Sequence, residues 1–106
     1  MSKYKRYWYW CCKGMIQNYR SYAGKEKKSE QEEIFYRAIK QAKEETKSLP
    51  DGEDRLKAVD LVIVDAICTR EGAALRIHVS SSTIRRWTTQ FIYLVGKHAG
   101  YEDETP

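Results

Sequence analysis

The chain has 106 residues, with 19 Lys/Arg against 15 Asp/Glu, two histidines and three cysteines. That length gives one domain with a single modest core. The odd cysteine count without a CxxC pair argues against a disulfide framework or a zinc site, no apolar run approaches the roughly 20 residues of a membrane span, and the basic start is too short for a secretory signal. A cytoplasmic protein with no metal, no cofactor and no membrane partner is expected.

Charge is unevenly spread. Residues 1–28 hold eight Lys/Arg against one Glu, 29–67 hold six against ten acids, 69–100 hold five against one, and 101–106 carry three acids. Two basic ends around an acidic middle imply an anionic partner that meets the ends. The segments read as a basic aromatic helix or arm (1–28), an amphipathic helix able to serve dimerisation (29–50), a helical domain (51–100) and an acidic tail (101–106). Breaks fall at "SYAGKEKKSE" and "SLPDGED", which concentrate turn-forming residues. The expected fold class is all-α, a small helical bundle.

In chain order, the first helix is expected from about Tyr4 to Tyr22, with Trp8, Cys11 or Cys12, Met15, Tyr19 and Tyr22 on one side and Tyr9 and Ile16 widening that face. Aromatics at helical spacing are core residues more often than ligand contacts. The second helix opens with "SEQE", the capping-box pairing of Ser29 and Glu32, and its seam is Phe35, Ile39, Ala42, Thr46 and Leu49, suited to a partner helix in the same chain or in a second copy. A third helix is expected from Asp51 or Gly52 to about Ile67, along Leu56, Val59, Ile63 and Ile67. Leu61, Val62 and Val64 add apolar character on further faces, which places it centrally.

From Thr69 the pattern becomes specific. Thr69 can cap a short helix ending at Ile77, and Ser80 can cap a new one starting at Ser81 and reaching His98 or Gly100, which makes a helix, a tight turn and a helix. Ala73, Ala74, Val79, Ile84 and Trp87 have the spacing of residues that pack such a pair together. Ser81, Ser82, Arg85 and Thr89 then face outward, with Arg86 at the margin and Ser80 at the helix start. Short hydroxyls let a helix approach DNA closely, and arginine can pair with guanine or hold phosphate. Arg76, Lys97 and the basic first segment are the flanking candidates for phosphate.

The stretch "LPDGEDRLKAVDLV", the N-terminal "YWYWCCKGMIQNY" and above all "GAALRIHVSSSTIRRWTTQFIYLVGKHAG" carry a family resemblance. Leu56 to Gly100 resembles the helix-turn-helix of sigma-factor region four, and the chain as a whole looks like the phage and prophage transcriptional regulators of the ArpU and RinA type. The resemblance implies a helical protein that binds double-stranded DNA upstream of late phage genes, with recognition-helix positions at Ser81, Ser82, Arg85, Arg86 and Thr89. Two departures stand out: His78 occupies the place where a glycine usually turns the chain, and Gly72 the place of a helix former. RNA polymerase and a second copy of the chain are the protein partners left open. A DNA-packaging subunit of the small-terminase kind and a protein-interaction module are the alternative functions. No catalytic constellation is present, so no enzyme is expected.

Overall fold

The computed structural model describes residues 7–101, and every regular element in that span is helical. The order is α1 (Tyr7–Gln17), α2 (Tyr19–Ala23), α3 (Glu30–Lys47), α4 (Gly52–Val59) running on into a π-helical turn (Asp60–Val64), α5 (Arg70–Ile77) and α6 (Ser81–His98). The all-α bundle read from the sequence is what forms. The start of the first helix at Tyr4, the basic residues Lys3, Lys5 and Arg6, and the acids of the tail lie outside the described residues.

The expected single helix up to Tyr22 is broken at Asn18 (φ −95°, ψ 8°). There the Asn18 carbonyl accepts from both the Ser21 N–H (2.9 Å) and the Ser21 hydroxyl (2.7 Å), a local alternative to helical hydrogen bonding. The break swings Tyr22 inward, where its hydroxyl donates to the Met15 carbonyl at 2.8 Å. Trp8, Tyr9, Cys12, Ile16 and Tyr22 are buried, with Met15 and Tyr19 packed against them. Cys12, not Cys11, is the inward cysteine, and burial pushes its thiol pKa up to about 12. The aromatic helix is thus mostly core.

Trp8 lies across α6 at Gly96, where an added Cβ would overlap the six-membered ring of the indole. The indole is also edge-on to Tyr93 (5.2 Å) and stacked on Tyr101 (5.8 Å). Gly96 therefore sets how closely α1 approaches α6.

The capping box on α3 forms as expected: Ser29 Oγ accepts from the Glu32 N–H (3.1 Å), and the Glu32 carboxylate accepts from the Ser29 N–H (2.9 Å). These bonds, together with Lys25, hold the Glu32 carboxyl below its ordinary range. Phe35, Ile39, Ala42 and Thr46 are buried within the chain, so the seam serves this bundle. Leu49 is the exception; it lies past the end of α3 and stays exposed.

The third helix stops short of its expected end at Ile67. At the π turn the Asp65 N–H donates to the Asp60 carbonyl (2.8 Å), and Ile67 and Cys68 both donate to the Leu61 carbonyl. Ala66 takes a left-handed φ of 53°, and Ile67 turns out to solvent. Val59 and Ile63 enter the main core with α1, α3 and α6, while Ala58 enters a second cluster with Ala73, Ala74, Ile77, Ile84 and Trp87. The α4 segment touches both clusters, which is the central position expected of it.

His78 ends α5 at φ 70°, with the His78 N–H and the Val79 N–H both donating to the Ala74 carbonyl. The Val79 bond is the 6→1 bond of a Schellman motif and the His78 bond the 5→1 bond of an αL cap, a left-handed helix end that glycine normally supplies. A side chain in that region costs roughly 1–2 kcal/mol, partly offset by the flexibility glycine adds to the unfolded chain. His78→Gly is expected to raise stability by up to about 1 kcal/mol, read as a higher urea midpoint with unchanged slope. A lower midpoint would mean that the imidazole contributes more than the strain it imposes.

Candidate nucleic-acid interface

Helix α5, the turn at 78–80 and α6 form the helix, turn and helix read from the sequence. Thr69 Oγ1 accepts from the Gly72 N–H (3.0 Å) and fixes the start of α5. Ser80 Oγ accepts from the Thr83 N–H (3.1 Å) and lies 2.8 Å from Thr83 Oγ1. The Ser80 hydroxyl is therefore committed to starting α6. Ala73, Ala74, Ile77, Ile84 and Trp87 form the buried contact between the two helices, with Val79 packed against them.

The inward set fixes what α6 presents. Ser82, Arg85 and Arg86 are exposed and Ser81 is half-buried. Neither arginine takes part in an ion pair among the described residues. Ser81, Ser82 and Arg85 line one small cleft of about 230 Å³ together with Arg70 and Glu71 from the start of α5. Arg85 projects to that side, whereas Arg86, one position on and 100° around the helix, projects to another.

Three other expected positions do not join this cleft. Thr89 is half-buried, and its side chain hydrogen-bonds Tyr9 of α1. Burial raises the Tyr9 hydroxyl pKa, with the Thr89 bond and the nearby Arg70 charge opposing that rise. Arg76 is exposed in the last turn of α5. Lys97 is exposed about 18 Å along the helix axis from Arg85, given 1.5 Å per residue. It edges a larger, mainly apolar cavity of about 640 Å³, formed with Leu49, Val59, Phe91 and Leu94 on a different flank of α6. The greater volume lies away from Arg70 and Arg85; its walls are mainly apolar and one of its two cations, Arg55, is already bonded to Gln90, so the chemistry favours the smaller cleft.

Sequence reading missed Arg70. A signal was available, because a cation in the first turn of a helix opposes the macrodipole by roughly 0.3–1 kcal/mol and so is placed there against local preference. It placed the basic first segment near phosphates without singling out Trp10 and Lys13. A second cavity of about 290 Å³ shares Arg70 and Arg85 with the first and is walled by these two residues of α1. Nothing in the spacing between residues 13 and 70 announces that meeting.

Among the described residues there is no group of three or more His, Cys, Asp or Glu able to hold a metal, and no helix is long and apolar enough to cross a membrane. No family model matches the chain, and no curated protein or solved structure matches it.

Proposed function

We propose that the protein is a sequence-specific double-stranded DNA-binding transcriptional regulator that acts in the cytoplasm, with the first two turns of α6 entering the major groove. The observation that carries this reading is the cleft in which Ser81, Ser82 and Arg85 meet Arg70, with Glu71 the single carboxylate. Arginine presented beside short hydroxyls at the start of a helix is suited to a base edge or a phosphate. Arg86 and Arg76 supply flanking cations, and Lys97 extends the basic surface. Thr89, bonded to Tyr9, has a positioning part in place of base contact. The resemblance to ArpU- and RinA-type regulators and to sigma region four gives late phage genes as the target class.

Selection of binding sites from random duplex DNA at physiological salt tests the reading, with the mass of the protein in solution measured alongside. A recovered motif is expected. A palindromic motif with half-sites roughly 34–36 Å apart would indicate a dimer, and an asymmetric one a monomer working beside RNA polymerase. A large closed oligomer with no preferred motif would replace the proposal with the DNA-packaging role. Failure to bind any DNA at low salt would leave a protein-interaction module.

Arg85→Ala is expected to cost about 1–3 kcal/mol on the recovered motif and to relax preference at one base pair, whereas Lys97→Ala should weaken all sequences alike. Competition binding against single-base variants of the motif measures both. Equal, small losses on every sequence for Arg85→Ala would remove it from base reading.

A further inference from the structure

The basic cleft does not end at the helix-turn-helix. The cavity beside α6 runs from Arg70 and Arg85 to Trp10 and Lys13 on α1. Trp10 is 59 % exposed, while Trp8 and Trp87 are each 5 % exposed. The Trp10 ring is braced edge-on by Tyr9 at 5.0 Å, and Lys13 Nζ lies 5.6 Å from its centroid. An indole held this way has a fixed orientation and a solvent-facing surface. Lys13, Arg70 and Arg85 line this stretch of the cleft, and no ion pair among the described residues uses any of them.

We infer that α1 is the second wall of the DNA-binding cleft: Lys13 and Arg70 take backbone phosphates of the strand flanking the start of α6, and Trp10 packs against the sugars of that strand. This rests on the reading of α6 as a DNA-binding helix and extends it to an element about 60 residues away in sequence. Charge selects the partner. A protein-docking tryptophan is ordinarily centred in an apolar patch from which charges are depleted, and this one shares its cavity with three cations, Lys13, Arg70 and Arg85. Phosphate contacts fix register without reading bases, so α1 sets where along the duplex the α6 arginines fall.

The test uses the full chain and the duplex recovered by selection. Each lost phosphate contact lowers the salt slope of log affinity by about 0.9, so a variant lacking one contact is about threefold less sensitive to a change from 50 to 200 mM salt. Lys13→Gln and Arg70→Gln are each expected to show that reduction on every sequence, with base preference intact. Acrylamide quenching of tryptophan emission, with Trp10→Phe to identify its component, should show Trp10 shielded when duplex is saturating. Unchanged slopes in both variants, or a Trp10 signal as quenchable in the complex as in the free protein, would overturn the inference. If Arg85→Ala still weakens binding in that case, the α6 reading stands and α1 alone is removed from the interface. Shielding of Trp10 by RNA polymerase and not by duplex would equally overturn it, since α1 would then be a protein contact. No duplex binding by the wild type would remove both.

Discussion

Trp87→Ala is expected to cost the protein roughly 3–5 kcal/mol, the largest loss among the substitutions considered. The second cluster contains Ala58, Ala73 and Ala74 beside Ile77, Ile84 and Trp87, so the indole supplies most of its bulk. Three alanines cannot rearrange to fill the space it leaves, which puts this site among those where the cavity contribution is large. Arg55 adds a second loss: its guanidinium lies 5.6 Å from the Trp87 ring centroid and donates to Gln90 Oε1 at 3.1 Å. Removing the ring takes away the surface on which that arginine rests. For a domain of this size each kcal/mol moves Tm by roughly 4–8 °C, so a fall of about 15 °C or more is expected, a large share of a typical total stability of 5–15 kcal/mol. Trp87→Phe, which refills part of the volume, should recover part of the loss. Since Trp87 holds α5 against α6, the DNA binding proposed for α6 should fall with the folded fraction. A melting curve for Trp87→Ala that overlays the wild type would show that the ring is not structural and that the outward face of α6 is misassigned.

The helix-turn-helix was legible because its constraints are local. Caps at Thr69 and Ser80, the turn at His78 and the small residues at Ala73 and Ala74 act over spacings of a few positions, and each was placed from the sequence. The capping box at Ser29 and Glu32 was legible for the same reason. What the sequence did not reveal depends on meetings between distant segments. The break at Asn18 takes its value from the burial of Tyr22, and the seam on α3 could have met a second copy until α6 occupied it. The apolar stripe holds through Ile63 and fails only at Ile67, because the π turn ends at Val64 and Ala66 turns left-handed, whereas hydrophobic periodicity assumes one continuous helix. The same limit governed the site. Ser81, Ser82 and Arg85 lie on one helix and could be grouped by eye, whereas Arg70, Lys13 and Trp10 come together only through the packing of α1 on α6.

Glycine gives the sharpest case, because its two possible roles predict opposite outcomes. The "DG" pair at Asp51 and Gly52 marks a turn in the sequence, yet Asp51 takes the left-handed φ of 62° and Gly52 begins α4. Judged by propensity alone, Gly52→Ala should stabilise: alanine is favoured over glycine in a helix by about 1 kcal/mol, chiefly because it restricts the unfolded chain. Space decides otherwise. A Cβ at Gly52 would lie 2.5 Å from the Thr46 carbonyl oxygen and within van der Waals overlap of the Lys47 carbonyl. These are backbone atoms of the last turn of α3, which cannot rotate away like a side chain. The only relief is to move α4 from α3, and α4 carries Ala58 and Val59 into the two clusters. Overpacking typically costs 1–3 kcal/mol and occasionally more; with several rigid atoms obstructed, the cost belongs at or above the top of that range. A net loss of roughly 2 kcal/mol is therefore expected for Gly52→Ala. Gly72→Ala is the control. Its Cβ would meet nothing closer than Thr69 Oγ1 at 3.5 Å, so propensity should win there and stability should rise by about 0.5–1 kcal/mol. Urea unfolding of the two variants side by side distinguishes the effects, and if both gained stability, the close approach of α4 to the end of α3 would be wrong.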